Sequence, residues 1–164
     1  MFTFHPMDET SAEEVIRWRY EPPYDIYNVS EERFDETLGY ILDPHYDYYC
    51  ILNDEGVLEA YCCFGKDAQV GGGDYSLDAL DVGLGVRPDL TGQGRGYLYV
   101  SSVIEFAHRQ YEPSALRATV VGFNKRAQRV WQKAGFEQVE SFDRFLDGRT
   151  FVVMMRRGMQ RGGL

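Results

Sequence analysis

The stretch Leu84–Gly96, LGVRPDLTGQGRG, constrains the fold more than any other part of the chain. Val82, Leu84 and Val86 alternate with Gly83 and Gly85, the period of two that a strand requires. Pro88 has no N–H to give to a sheet ladder and ends that strand. Gly92, Gly94 and Gly96 then fall at every second position. After them Tyr97, Val100, Ile104 and Ala107 recur at helical spacing, so a helix starts here. A loop without Cβ atoms at a helix N-terminus lets several backbone N–H groups converge on one anion, and the helix dipole favours the same charge. Pyrophosphate suits that nest, although a tight strand-to-helix turn with no ligand uses the same glycines. No Gly-Lys-Ser/Thr follows, which weighs against a Walker loop and a nucleotide-binding structural domain. GQGRGY also misses the dinucleotide fingerprint, because Tyr97 and Leu98 stand where the third glycine should fall.

A chain of 164 residues suits one domain with a sizeable core, and 44% hydrophobic content supports a folded protein. No run reaches the length of a membrane span, and no signal peptide opens the sequence. Cys50, Cys62 and Cys63 are odd in number and two are adjacent, so they read as reduced, buried thiols of a cytoplasmic protein. His5, His45 and His108 are scattered and pair with no cysteine at zinc spacing, so no metal is expected. The net charge of −9 disfavours nucleic acid as a partner. Residues 1–60 hold 15 acidic against 3 basic side chains, and residues 61–164 hold 11 against 14. That split is either a solvated acidic face or an acidic half for a cation beside a basic half for phosphates.

In chain order, Met1–Pro6 reads as a first strand. Thr10 and Ser11 before Glu13 and Glu14 read as a capping box for a short helix. Pro22 and Pro23 break any helix through RYEPPYDIYNV, which carries Tyr20, Tyr24 and Tyr27. Those rings either pack an irregular loop or wall a pocket for a small cationic ligand. Ser30 caps a second helix to about Tyr40. Asp47–Leu52 and Val57–Phe64 form a hairpin, Gly71–Gly73 is a flexible connection, and Ser76–Arg87 is a long strand. A helix from Gly96 to about Tyr111, a strand Leu116–Val121 and a helix Asn124–Ala134 closed by Gly135 follow. Glu137–Phe145 and Arg149–Met155 pair through Asp147-Gly148. Residues 157–164 read as a frayed tail behind a single domain of residues 1–156. The order describes an α/β fold around one mixed, mostly antiparallel sheet with helices on both faces. An edge strand at Phe151–Met155 would offer pairing across a homodimer.

That order and two motifs resemble the GNAT superfamily of acyl-CoA-dependent N-acetyltransferases. The first motif is VRPDLTGQGRG, Val86–Gly96, and the second is NKRAQRVWQKAGF, Asn124–Phe136. The resemblance implies acetyl-CoA as the donor cosubstrate. It implies that the amides of Gly92, Gln93, Gly94, Arg95 and Gly96 hold the pyrophosphate. It places backbone groups of Leu84, Gly85 and Val86 along the pantetheine, between strands that splay apart. Asn124 and Arg126 would flank the far side, and the Arg95 side chain would add a phosphate contact. The chain departs from the family at two places. Thr91 stands where Arg or Gln is preferred, and Trp131 stands where many members carry a tyrosine that protonates the departing thiolate. Thr119 occupies a position that is acidic in some protein N-terminal acetylases.

The chemistry needs a base for a protonated amine. Asp81 and Asp78, on the strand before the phosphate loop, and Glu59 on the neighbouring hairpin are the candidates, with Asp81 preferred. The two aspartates lie three residues apart, so a regular strand turns at most one toward the cleft. The acceptor is then a small cationic amine held near Tyr20, Tyr24 and Tyr27. The alternatives are a peptide or protein amine, or a non-catalytic acyl-CoA sensor that the tryptophan at 131 would suit.

Overall fold

The computed structural model describes residues 1–158. The elements are β1 (Thr3–Pro6), α1 (Glu9–Arg17), α2 (Phe34–Ile41), β2 (Asp47–Leu52), β3 (Leu58–Phe64), β4 (Leu80–Val86), α3 (Gly96–Tyr111), β5 (Ala115–Val121), α4 (Lys125–Lys133), β6 (Glu137–Asp143) and β7 (Thr150–Arg157). The seven strands form one sheet in the order β1-β2-β3-β4-β5-β7-β6. Every neighbouring pair is antiparallel except β4 and β5.

The β4–β5 junction shapes the molecule. Only Leu80↔Leu116 and Asp81↔Arg117 pair there, and beyond them the strands separate. On its other edge β4 stays bonded to β3 from Val82 to Val86. The sheet is therefore forked, and the fork opens toward the glycine loop.

Strand alternation sorts the core. Ala60, Cys62, Phe64 and Val82 pack with Val100, Val103, Ile104 and Ala107 of α3. On the opposite face Val15 and Trp18, from α1 and its C-cap, pack on Cys50 and Leu58. At a CH₂ contribution of about 0.8 kcal/mol, burial of these side chains is the main drive for the two-sided arrangement.

Several local expectations need correction. Asp8, not Thr10 or Ser11, caps α1, and its carboxylate accepts from the Ser11 amide at 2.7 Å. Ser30 makes no side-chain cap; it precedes a single 3₁₀ turn, and α2 starts at Phe34. The strand before the glycine loop begins at Leu80 rather than Ser76, because Asp74 folds the chain into a turn that accepts from the Ser76 amide. The triple glycine is docked rather than loose: the Gly71 carbonyl accepts from the Phe145 amide at 3.0 Å. Strand β7 lies between β5 and β6, so Phe151–Met155 is buried and is not an edge; the edges are β1 and β6. Of the expected frayed tail, Arg157 extends β7 and the Gly158 N–H donates to the Ser114 carbonyl at 2.8 Å, while residues 159–164 lie outside the described residues. No described helix is long and apolar enough to cross a membrane.

Candidate active site

The fork between β4 and β5 opens into a cleft of about 640 Å³. Its walls come from β4, β5, the glycine loop, α4 and the tyrosine-bearing segment after α1. A second concavity of about 710 Å³ lies along α3, beside Glu105, His108 and Arg156, and includes neither the glycine loop nor the fork.

Gly92 and Gly94 have φ values of +71° and +75°, the left-handed region that favours glycine. Side chains brace this loop from outside: Thr91 Oγ1 donates to the Pro88 carbonyl at 2.7 Å, and Gln93 Nε2 to the Asp89 carbonyl at 2.6 Å. Among the described residues, the amides of residues 92–96 donate to no other group of the chain. Five free amides at the start of a 16-residue helix make a cradle for an anion. Gly96 serves packing as well, since a Cβ there would stand 2.9 Å from Val130 Cγ2 of α4. Close approach of α3 and α4 brings cations to the cradle. Arg126, Arg129 and Lys133 line the cleft along α4, and a Cβ on Gly92 would lie 3.0 Å from Arg126 Nη1. Arg129 and Lys133 were legible as i, i+3 and i+7 partners of Arg126 but were not singled out from the sequence.

Arg95 does not face this cradle. Its guanidinium donates to Glu59 Oε2 at 3.1 Å and lies over the Tyr99 ring. Glu59 is buried and also accepts from Asn53 Nδ2 at 3.0 Å and Tyr99 Oη at 2.8 Å. Burial alone would raise its pKa, but the bonds from Asn53 and Tyr99 and the Arg95 charge outweigh it and hold the carboxyl below its usual value. Glu59 is thus a lock beneath the glycine loop, with its oxygens committed and away from the cleft. Replacing it with Gln removes the ion pair and is expected to cost about 1–3 kcal/mol. Because the folded pKa is lowered, the wild-type advantage is full at neutral pH. It shrinks once pH falls below the ordinary glutamate value of 4.5 and vanishes below the folded one. Paired thermal melts of Glu59→Gln and wild type from pH 7 downward check both size and sign.

The other two carboxylates are also outside the cleft. Asp78 is exposed in a bend before β4. Asp81 is 3% exposed and accepts from Arg117 Nε at 2.6 Å and Nη2 at 2.8 Å, and from Gln69 Nε2 at 2.9 Å. Arg117 is equally buried and donates further to the Leu77 carbonyl. The pair sits on the last β4–β5 bridge, at the root of the fork. With every oxygen occupied by a cation or an amide, Asp81 is an ion-pair rivet, and the preference for it as a base is corrected.

Alternation along β4 explains the cleft wall. Arg87 N–H donates to the Glu59 carbonyl and Gly65 N–H to the Asp81 carbonyl, so the odd-numbered residues of β4 bond toward β3. Backbone groups of Val82, Leu84 and Val86 therefore point into the fork. Leu84 presents an open strand edge there, while the Val86 carbonyl accepts from Tyr20 Oη at 2.6 Å. On the face toward α1 and α2, β4 carries Gly83 and Gly85. A Cβ on Gly85 would fall 2.2 Å from Tyr61 Cε1, so the glycine is what lets the Tyr61 ring lie against the strand.

The tyrosine segment spans the fork. Tyr24–Tyr27 is one 3₁₀ turn. Tyr20 is bonded to β4, while Tyr27 Oη accepts from Asn124 Nδ2 at 3.1 Å, and Asn124 Oδ1 caps α4 by accepting from the Ala127 amide. Tyr24 lies under the Arg126 guanidinium at 4.4 Å. Burial, with Tyr27 nearby, pushes the Tyr20 phenol well up, so it stays a donor at all ordinary pH. Trp131 lines the cleft, 5% exposed, with its ring edge-on to Phe136 at 4.8 Å; it offers no acidic hydroxyl. Thr119 on β5 also lines the cleft and shares a hydrogen bond with Tyr75 Oη at 3.0 Å.

Three lining residues had no signal in the sequence: Tyr48, Tyr61 and Asp67. Tyr48 Oη donates to Asp67 Oδ2. Burial first, then Cys63 and the Asp67 bond, push the Tyr48 phenol far above its usual value. Cys50, Cys62 and Cys63 are free and buried, and burial with the nearby Asp67 pushes Cys63 up to about 12, so none is a ready nucleophile.

A sheet forked at one parallel junction, with an anion cradle at its mouth and an open strand edge inside, defines an acyl-CoA-using transferase architecture. Comparison with known families agrees: the model of the Acetyltransferase (GNAT) family matches residues 12–136. The protein belongs to the GNAT acetyltransferase family and is an acyltransferase. Solved structures share its fold. AAC(6')-Ib in complex with Parmomycin and AcetylCoA has a TM-score of 0.74 at 15% identity, with 99% of each chain covered. A chimera of spermidine N-acetyltransferase SpeG from Vibrio cholerae and hSSAT has a TM-score of 0.72 at 13% identity, with 95% of each chain covered. An aminoglycoside N(6')acetyltransferase from Legionella pneumophila subsp. pneumophila str. Philadelphia 1 has a TM-score of 0.71 at 20% identity, covering 95% of this chain and 91% of that one. No curated protein sequence matches the chain.

Proposed function

We propose that the protein transfers an acetyl group from acetyl-CoA directly to the primary amine of a small cationic molecule. The observation that carries this reading is the polarity of the cleft. Arg126, Arg129 and Lys133 lie at the glycine-loop side, and tyrosines 20, 27, 48 and 61 wall the part toward α1 and α2. The five free amides and the three cations suit the coenzyme's phosphates, and the open backbone of Leu84 suits its pantetheine amides as an added strand would. A main-chain N–H of the fork, near Leu84 to Val86, polarises the thioester carbonyl. The tyrosine walls suit an ammonium group by ring-face attraction of about 0.5–2 kcal/mol each. The solved neighbours named for spermidine and aminoglycoside acetylation set the size range of acceptors to test. Thiol release from acetyl-CoA, measured across polyamines, aminoglycosides, arylalkylamines and amino-terminal peptides, tests the reading. Turnover with small amines and none with peptides is the expected result. Turnover confined to peptides would move the acceptor class, and coenzyme binding without any turnover would make the protein a sensor.

A further inference from the structure

We infer that Asp67 is the acceptor-amine site: its carboxylate, held by Tyr48, anchors the substrate ammonium and takes its proton. The inference rests on the amine-acetyltransferase reading and supplies the base which that reading lacks.

Three observations converge on it. First, Asp67 is the one carboxylate among the described residues that line the cleft; the three candidates taken from the sequence lie outside it, and two of them are saturated by donors. Second, its position is built. Gly65 bends the chain after β3 at φ +93°, its N–H is tied to the Asp81 carbonyl at 2.9 Å, and residues Lys66–Ala68 form a single 3₁₀ turn that presents Asp67 to the fork. The same turn abuts the cleared face of β4, because a Cβ on Gly83 would lie 3.7 Å from Ala68 Cβ. Third, the surroundings are those of a cation site. Tyr48 and Tyr61 stack at 6.3 Å beside the carboxylate, and the cationic residues of the cleft lie beyond it on α4, next to Gly92. An anion in that chamber faces rings, glycines, the Cys63 thiol and a hydroxyl donor, so an incoming ammonium is its natural partner.

The step balances without any further reagent. The substrate enters as R–NH₃⁺, and Asp67 accepts one proton from nitrogen. The freed lone pair attacks the thioester carbonyl carbon, forming the C–N bond. As the C–S bond breaks, the sulfur leaves with a second proton from the same nitrogen, and the products are the amide and the free thiol. Asp67 then returns its proton to solvent. This route dispenses with a protonating tyrosine at position 131, consistent with the buried indole found there.

Asp67→Asn keeps the shape of the turn and removes the charge. With spermidine and phenethylamine as probes, kcat/KM is expected to fall by about 10²-fold or more, as loss of a positioned base does, while the KM for acetyl-CoA stays unchanged. The pH profile separates catalysis from structure. Wild type takes the protonated amine and has a flat profile around neutrality. The variant depends on free amine already present, so its rate rises about tenfold per pH unit until the amine's own pKa of about 10.4. Tyr48→Phe leaves the turn intact and is expected to give a smaller loss with the wild-type profile, which guards against misfolding of the first variant. Unchanged kcat/KM and profile in Asp67→Asn would overturn the inference and leave the acetyltransferase reading standing. If wild type turns over neither probe, calorimetry of spermidine with the coenzyme-A-bound protein separates the two claims. Binding lost in Asp67→Asn upholds the anchor and sinks the reaction, and equal or absent binding in both proteins overturns the anchor.

Discussion

Asp81→Asn is expected to unfold at a markedly lower temperature than wild type while its folded fraction still turns over. The carboxylate it loses is enclosed with Arg117, their side chains 4% and 3% exposed. Neutralising one partner leaves a buried guanidinium uncompensated and sets an amide N–H against the donors of Arg117 and Gln69. Breaking a buried pair in this way costs about 3–5 kcal/mol. For a chain of this size that lowers Tm by roughly 10 °C or more. The position amplifies the effect, because Asp81 and Arg117 form the last rung before β4 and β5 part. Loss of the rung frees the root of the fork, so the cleft widens before the domain melts. A general base would behave in the opposite way, losing about 10²–10⁴ in rate with little change in melting. Thermal melts and kcat measured well below the melting point distinguish the two outcomes. The double variant Asp81→Leu with Arg117→Met removes both charges and is expected to recover most of the lost stability, as paired apolar replacements of buried ion pairs do.

Gly85→Ala is expected to damage acceptor binding far more than coenzyme binding. The new methyl would meet the Tyr61 ring at 2.2 Å from Cε1 and 2.5 Å from Cζ. Those are rigid ring atoms of the cross-strand partner in the β3–β4 ladder, so the ring must swing off the strand. The space available to it is the chamber beside Tyr48 and Asp67. Overpacking of this kind costs about 1–3 kcal/mol of stability. The displaced ring also fills the acceptor site, and an acceptor KM raised by about tenfold or more corresponds to about 1.4 kcal/mol of lost binding. The acetyl-CoA KM is expected to stay close to wild type, because the backbone groups of Gly85 bond toward β3 and not into the fork, against the expectation that they run along the pantetheine. Adding Tyr61→Leu relieves the clash; it restores Tm and leaves acceptor affinity low, since one wall of the chamber is gone. Equal KM values for the acceptor in Gly85→Ala and wild type would show that this face of β4 does not border the acceptor.

The reach of sequence reasoning differed from element to element for physical reasons. The anion cradle was legible because it is local. The cradle is five consecutive amides set by three glycines, and the flanking helix follows from its apolar spacing, so neighbours along the chain suffice. The cap of α4 by Asn124 is equally local. The short strand β4 was overextended by four residues at its start and one at its end, since alternation alone carries no notice of the Asp74 turn that competes with pairing. The edge assignment of Phe151–Met155 failed because an apolar run looks the same in the middle of a sheet as at its rim, and only strand order separates them. The carboxylates were misjudged for a related reason. Position on a strand near the cofactor selected Asp81 and Glu59, but what decides a carboxylate's role is who donates to it. Arg117 is 36 positions from Asp81, and Tyr99 is 40 from Glu59.

The tyrosines 20, 24 and 27 show both levels together. Their clustering around two prolines was visible in the chain, and in the structure Tyr24–Tyr27 form an irregular turn while all three rings line the cleft. Which atoms they bond, the Val86 carbonyl and the Asn124 amide, depended on the fold bringing that turn across the fork.

By itself, then, the chain determined the family, the order of its elements and the glycine-loop anion cradle, because each rests on contacts between residues a few positions apart. The tertiary structure decided where the fork opens, which carboxylates are sealed in ion pairs or hydrogen-bonded locks, and that Asp67 alone among the described acidic residues lines the cleft. Those outcomes turn on partners tens of residues apart, whose approach is set by how the sheet twists and packs and by no local pattern of residues.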